Sequence, residues 1–238
     1  MTGGAEPFSR FRSVGFSIDE AVTRLGVRGV YLAMGGLSNR ESDPAFDALR
    51  EQVLEDLRAG LSAGSLRDDP VLAGFRRLHT AVGVSNRKNV AAPENLLRHL
   101  LRTGELPRVN LLVDIYNLVS LRTRLALGAH DLARAAGDLR LRLTDGTERF
   151  VPLGAPEPKA VAPGEYAYVD GENEVLCRLE VRQVEKTRVG LDASACFYIV
   201  QGHEATGEDL LRAASEELIA LTTRFCGGEA RLLSAPWL

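Results

Sequence analysis

The sequence contains no apolar run approaching the roughly 20 residues that a membrane-spanning helix needs, and its first residues, MTGGAEPFSRFR, lack the apolar segment of a secretion signal. A cytoplasmic protein with no membrane partner is therefore expected. Cysteine is scarce: Cys177, Cys196 and Cys226 are odd in number and far apart, which fits neither a disulfide framework nor a Cys-x-x-Cys metal site. They read as core residues in a reducing compartment. The common enzyme signatures are missing too, with no Gly-x-Ser-x-Gly elbow, no Gly-rich phosphate loop ending in Lys-Ser/Thr, and no His-Glu-x-x-His. Neither a metal nor an organic cofactor is expected. There is no internal repeat and no low-complexity linker. A chain of 238 residues, 45% of them hydrophobic, is expected to share one core as a single α+β domain over residues 1–238.

Net charge is low, −3, but it is unevenly spread. Residues 71–124 carry nine Arg or Lys (Arg76, Arg77, Arg87, Lys88, Arg98, Arg102, Arg108, Arg122, Arg124) against three acids, a block of +6 that leaves −9 for the remainder. That asymmetry suits a phosphate-facing patch, and equally a set of solvated helix faces.

Local signals divide the chain into a helical half and an extended half. Ser17-Ile-Asp-Glu20 has the form of a capping box and predicts a short helix there. VRGVYLAM reads as a buried strand. Asp43-Pro44 and Asp69-Pro70 set a cap before a first-turn proline, opening helices near 44–60 and 70–79. Pro93 opens another, with Leu96, Leu97, Leu100 and Leu101 as its apolar stripe and Gly104 as its end. From Asp138 the period becomes two. LRLRLTDGTERFVPL predicts a hairpin about Asp145-Gly146, EYAYVDGENEVLCRLEV a second hairpin, and ACFYIVQG a closing strand. A last helix, about 207–225, is expected to be capped by Thr206 and Asp209 and ended by Gly227-Gly228. The strands are expected to curl into a small antiparallel barrel-like sheet against which the helical N-terminal half packs, because short successive strands must hide their edges.

One stretch carries more chemistry than packing requires. In VNLLVDIYNLVSLRTRLALGAHDL, residues 109–132, Asp114, Asn117 and Ser120 fall at spacings of three, on one helical line beside a broad apolar stripe. Two readings stand side by side. The polar groups read a ligand, or they satisfy backbone groups of an adjoining loop, since an unpaired buried N–H costs about 1–3 kcal/mol. Ser120, His130 and Asp131 also form a conceivable hydrolytic set, which requires a contact that sequence proximity does not supply. Of the other histidines, His79 and His99 read as solvent-facing or structural, and His203 as a turn residue.

The ordered series Asn110, Asp114, Asn117, Ser120, Gly128, Asp131, Arg182, Gln183 and Thr187 resembles the tRNA-binding and editing module, the B-three/four domain, of phenylalanyl-tRNA synthetase β chains, and most closely its freestanding versions. The resemblance covers about residues 75–200 and leaves residues 1–72 without a counterpart. It implies the fold of that module and a stand-alone deacylase that acts in trans on mischarged aminoacyl-tRNA, with the aminoacylated acceptor end of tRNA as partner. It implies roles as well. Asn117 would orient the ester carbonyl or a water, and His130 would act as a base of near-neutral pKa. Asp114 would hold the α-ammonium group and Ser120 its neighbour, with Tyr116, Gly128, Asp131, Arg182 and Thr187 completing the substrate site. Arg76, Arg77, Arg87, Lys88 and Arg98 would bind the tRNA. The sequence departs from the synthetase pattern at Tyr116, where Thr is usual, and at Gly128, where the pocket histidine would fall, while a new histidine stands at His130. Tyrosine, the synthetases' target, does not carry over automatically, and an inward Tyr116 favours a smaller side chain. A non-catalytic RNA-binding module and an amino-acid-binding regulator are the alternatives.

Overall fold

In the computed structural model, which describes residues 10–238, the elements are β1 (Phe16–Ile18), α1 (Glu20–Arg24), β2 (Val27–Gly35), α2 (Pro44–Gly60), α3 (Ala63–Asp68), α4 (Pro70–Ala81), α5 (Ala92–Thr103) and α6 (Leu111–Thr123). They continue with β3 (Ala126–Asp131), β4 (Leu139–Leu143), β5 (Tyr166–Val169), β6 (Val175–Arg178), β7 (Arg182–Gln183), β8 (Ala195–His203), α7 (Glu208–Cys226) and β9 (Glu229–Ser234). Residues 1–9, most of the stretch read for a secretion signal, lie outside the described residues. Among the described residues no helix is long and apolar enough to cross a membrane.

Where a helix start is set by local chemistry, it forms as the residues dictate. The Asp43 carboxylate accepts from the amides of Ala45 and Phe46, and Asp69 does the same for Val71 and Leu72, so both Asp-Pro steps open helices. Gly104, at φ +76°, ends α5 in the left-handed conformation. Two cap expectations are corrected. Ser17 belongs to β1, and the Asp19 carboxylate, at the cap position of α1, accepts from Arg140 instead of the helix amides. Thr206 Oγ1 accepts from the amide of His203, leaving Gly207 to cap α7 without a side-chain bond.

Two sheets lie face to face. One has the order β3-β8-β2-β9 and is antiparallel throughout; the other has the order β1-β4-β5-β6-β7, with β1 parallel to β4. Side chains of a strand alternate between faces. Tyr31, Ala33, Phe197 and Ile199 therefore point from the first sheet into a core shared with Leu139, Leu141, Tyr166 and Tyr168 of the second. The alternate residues, Leu32, Met34, Tyr198 and Val200, pack with Leu111, Ile115 and Leu118 of α6 and Leu211 and Leu218 of α7. The α+β class is as expected, with a helical layer, a four-stranded sheet and a five-stranded sheet in succession.

The barrel expectation is corrected. The sheets do not close on each other, because β8 and β2 are apolar on both faces and take the middle of a sheet covered on both sides. The hairpin about Asp145-Gly146 is corrected too. Gly146 does take φ +91°, but both edges of β4 are already paired, with β1 and β5, so the chain after the turn bridges elsewhere, Arg149 to Glu174 and Pro152 to Val184. The second hairpin, β5 with β6, forms as read.

Candidate functional site

Helix α6 begins at Asn110, whose side-chain oxygen accepts from the Val113 amide while its nitrogen donates to the Val189 carbonyl, tying the helix start to the loop beyond β7. The polar line then splits. Asp114, 1% exposed, accepts from Arg108 Nε at 2.8 Å and from the Val109 amide at 3.1 Å. Burial raises its pKa, opposed by the Val109 amide and the Arg108 guanidinium. The carboxylate closes the loop before α6 and does not line the cavity described next, which corrects its assignment to an α-ammonium group. Ser120 donates to the Leu125 carbonyl at 2.7 Å and holds the turn into β3. Asn117, between them, is half-buried, and its carboxamide bonds to no described residue.

Asn117 faces a cavity of about 180 Å³ between α5, α6, the edge strand β3 and the β6–β7 hairpin, with Tyr116, Gly128, His130, Glu180, Gln183 and Gln201 among its walls. Strand alternation explains why β3 contributes Gly128 and His130 while Ala129 joins the helical core. Gly128 leaves room for a neighbour: a Cβ there would stand 2.9 Å from the Gln183 side-chain nitrogen, the movable end of that side chain. Gln183 in turn lies against the Tyr116 hydroxyl. His130 Nδ1 is 2.9 Å from Thr187 Oγ1, and Nε2 has no partner. Burial pushes the His130 pKa down to about 3. A neutral imidazole with so low a basicity is a hydrogen-bonding group, and the expectation of a near-neutral base is corrected.

Thr187 is fully buried and positions His130 from behind; its carbonyl accepts from the Asp131 amide. Asp131 itself turns away from the cavity to the Ala133 amide and Arg134. Burial raises its pKa, against the pull of those two donors. Ser120, His130 and Asp131 thus bond to three different partners and form no hydrolytic set.

The cavity also contains groups that the sequence reading missed. Glu180, 6% exposed, accepts from His79 Nε2 at 2.7 Å, from the Tyr166 hydroxyl on both oxygens and from Gln201 Nε2 at 2.8 Å. Gln201 Oε1 accepts from Tyr168 at 2.5 Å. Burial opposes charge on His79, but the hydrogen bond and charge of Glu180 outweigh it and raise its pKa. His79 is therefore neither solvent-facing nor a bystander. A signal for its burial existed, since it continues the Leu72, Phe75 stripe of α4 at helical spacing. Nothing local marked Glu180, which sits in a hairpin turn with its neighbour at φ +44° and +53°, a conformation that favours glycine or asparagine.

The B3/4 domain model matches residues 76–227. The chain belongs to the B3/4 domain family. The matched span contains every residue lining the cavity. The structure is similar to the crystal structure of an N-terminal fragment of the phenylalanyl-tRNA synthetase beta-subunit from Pyrococcus horikoshii, with a TM-score of 0.51 and 16% identity, covering 92% of this chain and 50% of that one. At that identity the likeness is one of fold, and this B3/4 chain spans half the length of that fragment. No curated protein matches the chain.

Of the five basic residues expected to face tRNA, Arg76, Arg87 and Arg98 line a single opening with Glu94 on its wall, and Lys88 adjoins Arg87 in the chain. Arg76 and Arg98 both pair with the buried Glu94, at 2.9 and 2.5 Å, and Arg76 also donates to the Leu66 and Arg67 carbonyls. Arg77 lies on another face beside His203 and Glu204. Arg87 and Lys88 are exposed on the loop between α4 and α5. Lys88 and Arg182 line an open groove of about 530 Å³ that shares Asn95, Val181 and Gln183 with the cavity. The expectation of a five-residue tRNA surface is corrected for Arg77, which lies on another face, while Glu94 offsets one of the two charges of Arg76 and Arg98 and leaves that cluster at +1. Arg182, expected in the substrate site, stands at the cavity's mouth. Among the described residues no three His, Cys, Asp or Glu side chains converge as a metal site requires.

Proposed function

We propose that this protein hydrolyses the ester of mischarged aminoacyl-tRNA in trans, in the cytoplasm, with the aminoacyl group in the cavity and the acceptor end along the groove. The observation that carries this reading is a buried polar atom without a partner, His130 Nε2, on the wall of one small opening that the half-buried Asn117 also lines. At about 180 Å³ the cavity lies below the roughly 300–1,000 Å³ of pockets for drug-sized ligands and suits a single aminoacyl unit.

An aminoacyl ester is already activated, so the chain's residues have modest work to do. The Asn117 amide donates to the carbonyl oxygen as it gains charge, and His130 Nε2 bonds to the aminoacyl group and fixes its place in the cavity. Water oxygen bonds to the acyl carbon, the bond to the terminal ribose oxygen breaks, and the water's proton ends on that oxygen, relayed by the neighbouring ribose hydroxyl. Free amino acid and tRNA leave. Lys88, Arg87 and Arg182 hold the phosphates, and this contact weakens with salt. A second reading, tRNA binding without hydrolysis, is favoured by the depressed His130 pKa, which leaves that side chain a poor proton acceptor.

Deacylation of a panel of tRNAs, each carrying a cognate or a wrong amino acid, separates the two. Turnover above buffer on a subset is expected. Salt-sensitive tRNA binding with no turnover on any member would establish the second reading, and no tRNA binding at low salt would end both.

A further inference from the structure

The cavity floor is built at a local cost that packing alone does not explain. Leu179 and Glu180 both adopt positive φ, and Glu180 then buries a carboxylate among His79, Tyr166 and Gln201 instead of turning it to water. The result is an oriented chain of polar groups, from His79 through Glu180 and Gln201 to Tyr168, of which the last three line the cavity. Two of the lining residues keep hydrogen-bonding capacity to spare. Gln201 has a second amide hydrogen beyond the one given to Glu180, and His130, 1% exposed, keeps Nε2 without a partner. Thr187 can either donate to or accept from Nδ1, so Nε2 is available as an acceptor or a donor.

Size limits what reaches these groups. A dry cavity of about 150 Å³ takes one benzene, six heavy atoms, so 180 Å³ holds roughly seven. That number fits a threonyl or seryl group and is well short of a tyrosyl one. Tyr116 and Gln183, bonded to each other, form part of its wall.

Resting on the deacylase reading above, we propose that Gln201, oriented by Glu180, and His130 select an aminoacyl group whose side chain is short and carries a hydroxyl or amide. An apolar isostere strips water from Gln201 and His130 and returns no hydrogen bond, and sites built this way reject the lacking analogue far more strongly than a methylene difference allows. A hydroxyl supplies both a donor and an acceptor.

The test compares isosteric pairs on the wild-type protein: threonyl- against valyl-tRNA and seryl- against alanyl-tRNA, with tyrosyl-tRNA as the size control. Threonyl over valyl by at least tenfold in kcat/KM is expected, with tyrosyl slower than threonyl. Equal or reversed rates within the pairs, or tyrosyl as the best substrate, would overturn the assignment. Gln201→Met, checked for an unchanged Tm, is expected to bring the threonyl-to-valyl ratio within about threefold. Binding of non-hydrolysable threonyl- and valyl-amide adenosines gives a readout independent of turnover. No turnover on any tRNA together with tighter threonyl binding would sink the deacylase reading and keep the selectivity; equal binding or none would sink the selectivity itself.

Discussion

Asp114 and Asn117 stand one turn apart on the same face of α6, and the structure treats them in opposite ways. Asp114 is fully occupied by Arg108 and the Val109 amide, away from the cavity; Asn117 has no described partner and faces it. Buried polar groups are normally paired, so Asp114, buried and paired, holds the fold, whereas the half-buried Asn117 keeps its carboxamide open to water or a ligand. The same contrast divides two buried histidines. His79 is paired with a carboxylate and favours its charged form, whereas His130 hydrogen-bonds to Thr187 alone among the described residues and favours its neutral form.

This contrast is open to attack in order of effect size. Asp114→Ala leaves the Val109 amide and Arg108 without their acceptor, and a loss of about 1–3 kcal/mol is expected in urea unfolding. A loss within error would show the carboxylate idle in the fold. The histidine contrast is sharpened by pH. The His130 pKa is depressed by folding, so the unfolded chain takes up a proton that the folded one does not; its contribution is present above about 6.5 and fades as pH falls toward 3. Between pH 7 and 5 wild type is expected to lose about 2 kcal/mol that a folded His130→Gln variant keeps. His79 has the opposite sign: its pKa is raised, so its contribution is present at low pH and is lost as pH climbs through the folded value. Histidine NMR titration reads both, with His130 neutral at pH 5 and His79 titrating above 6.5; two ordinary titrations would break the contrast.

Smaller effects follow at the edges. Ser120→Ala removes one hydrogen bond to the Leu125 carbonyl and is expected to cost about 0.5–1.5 kcal/mol, with turnover per folded molecule unchanged. Lys88→Ala and Arg182→Ala are each expected to lower the slope of log K against log salt for tRNA binding by about one at most, with Arg98→Ala smaller because Glu94 already pairs with it. Equal slopes for all three would show that Glu94 does not screen Arg98.

Local structure was legible where local chemistry decides it. Asp43, Asp69 and Gly104 mark their helix ends because cap bonds and left-handed turns depend on a few adjacent residues. What failed was long-range. The hairpin expected at Asp145-Gly146 depends on whether β4 has a free edge, and that is settled by β1 and β5, far away in sequence. The barrel failed for the same reason, since β8 pairs with β2 across most of the chain. In the site, Asn117, Tyr116, Gly128 and His130 were named from the sequence and share one cavity, whereas Asp114 and Ser120 share the same line of the helix but not the same surroundings. Glu180 was illegible, because its role is set by His79, Tyr166 and Gln201, from three separate elements.

The most direct test of the account sets Asn117→Ala beside Asp114→Ala in two assays, urea unfolding and single-turnover deacylation of the best tRNA substrate per folded molecule. The account predicts that Asn117→Ala keeps its stability and loses about 10²–10³-fold in rate, as removal of an oxyanion donor does, while Asp114→Ala loses stability and keeps its rate. The reverse pattern, an active Asn117→Ala or a stable and inactive Asp114→Ala, would contradict it.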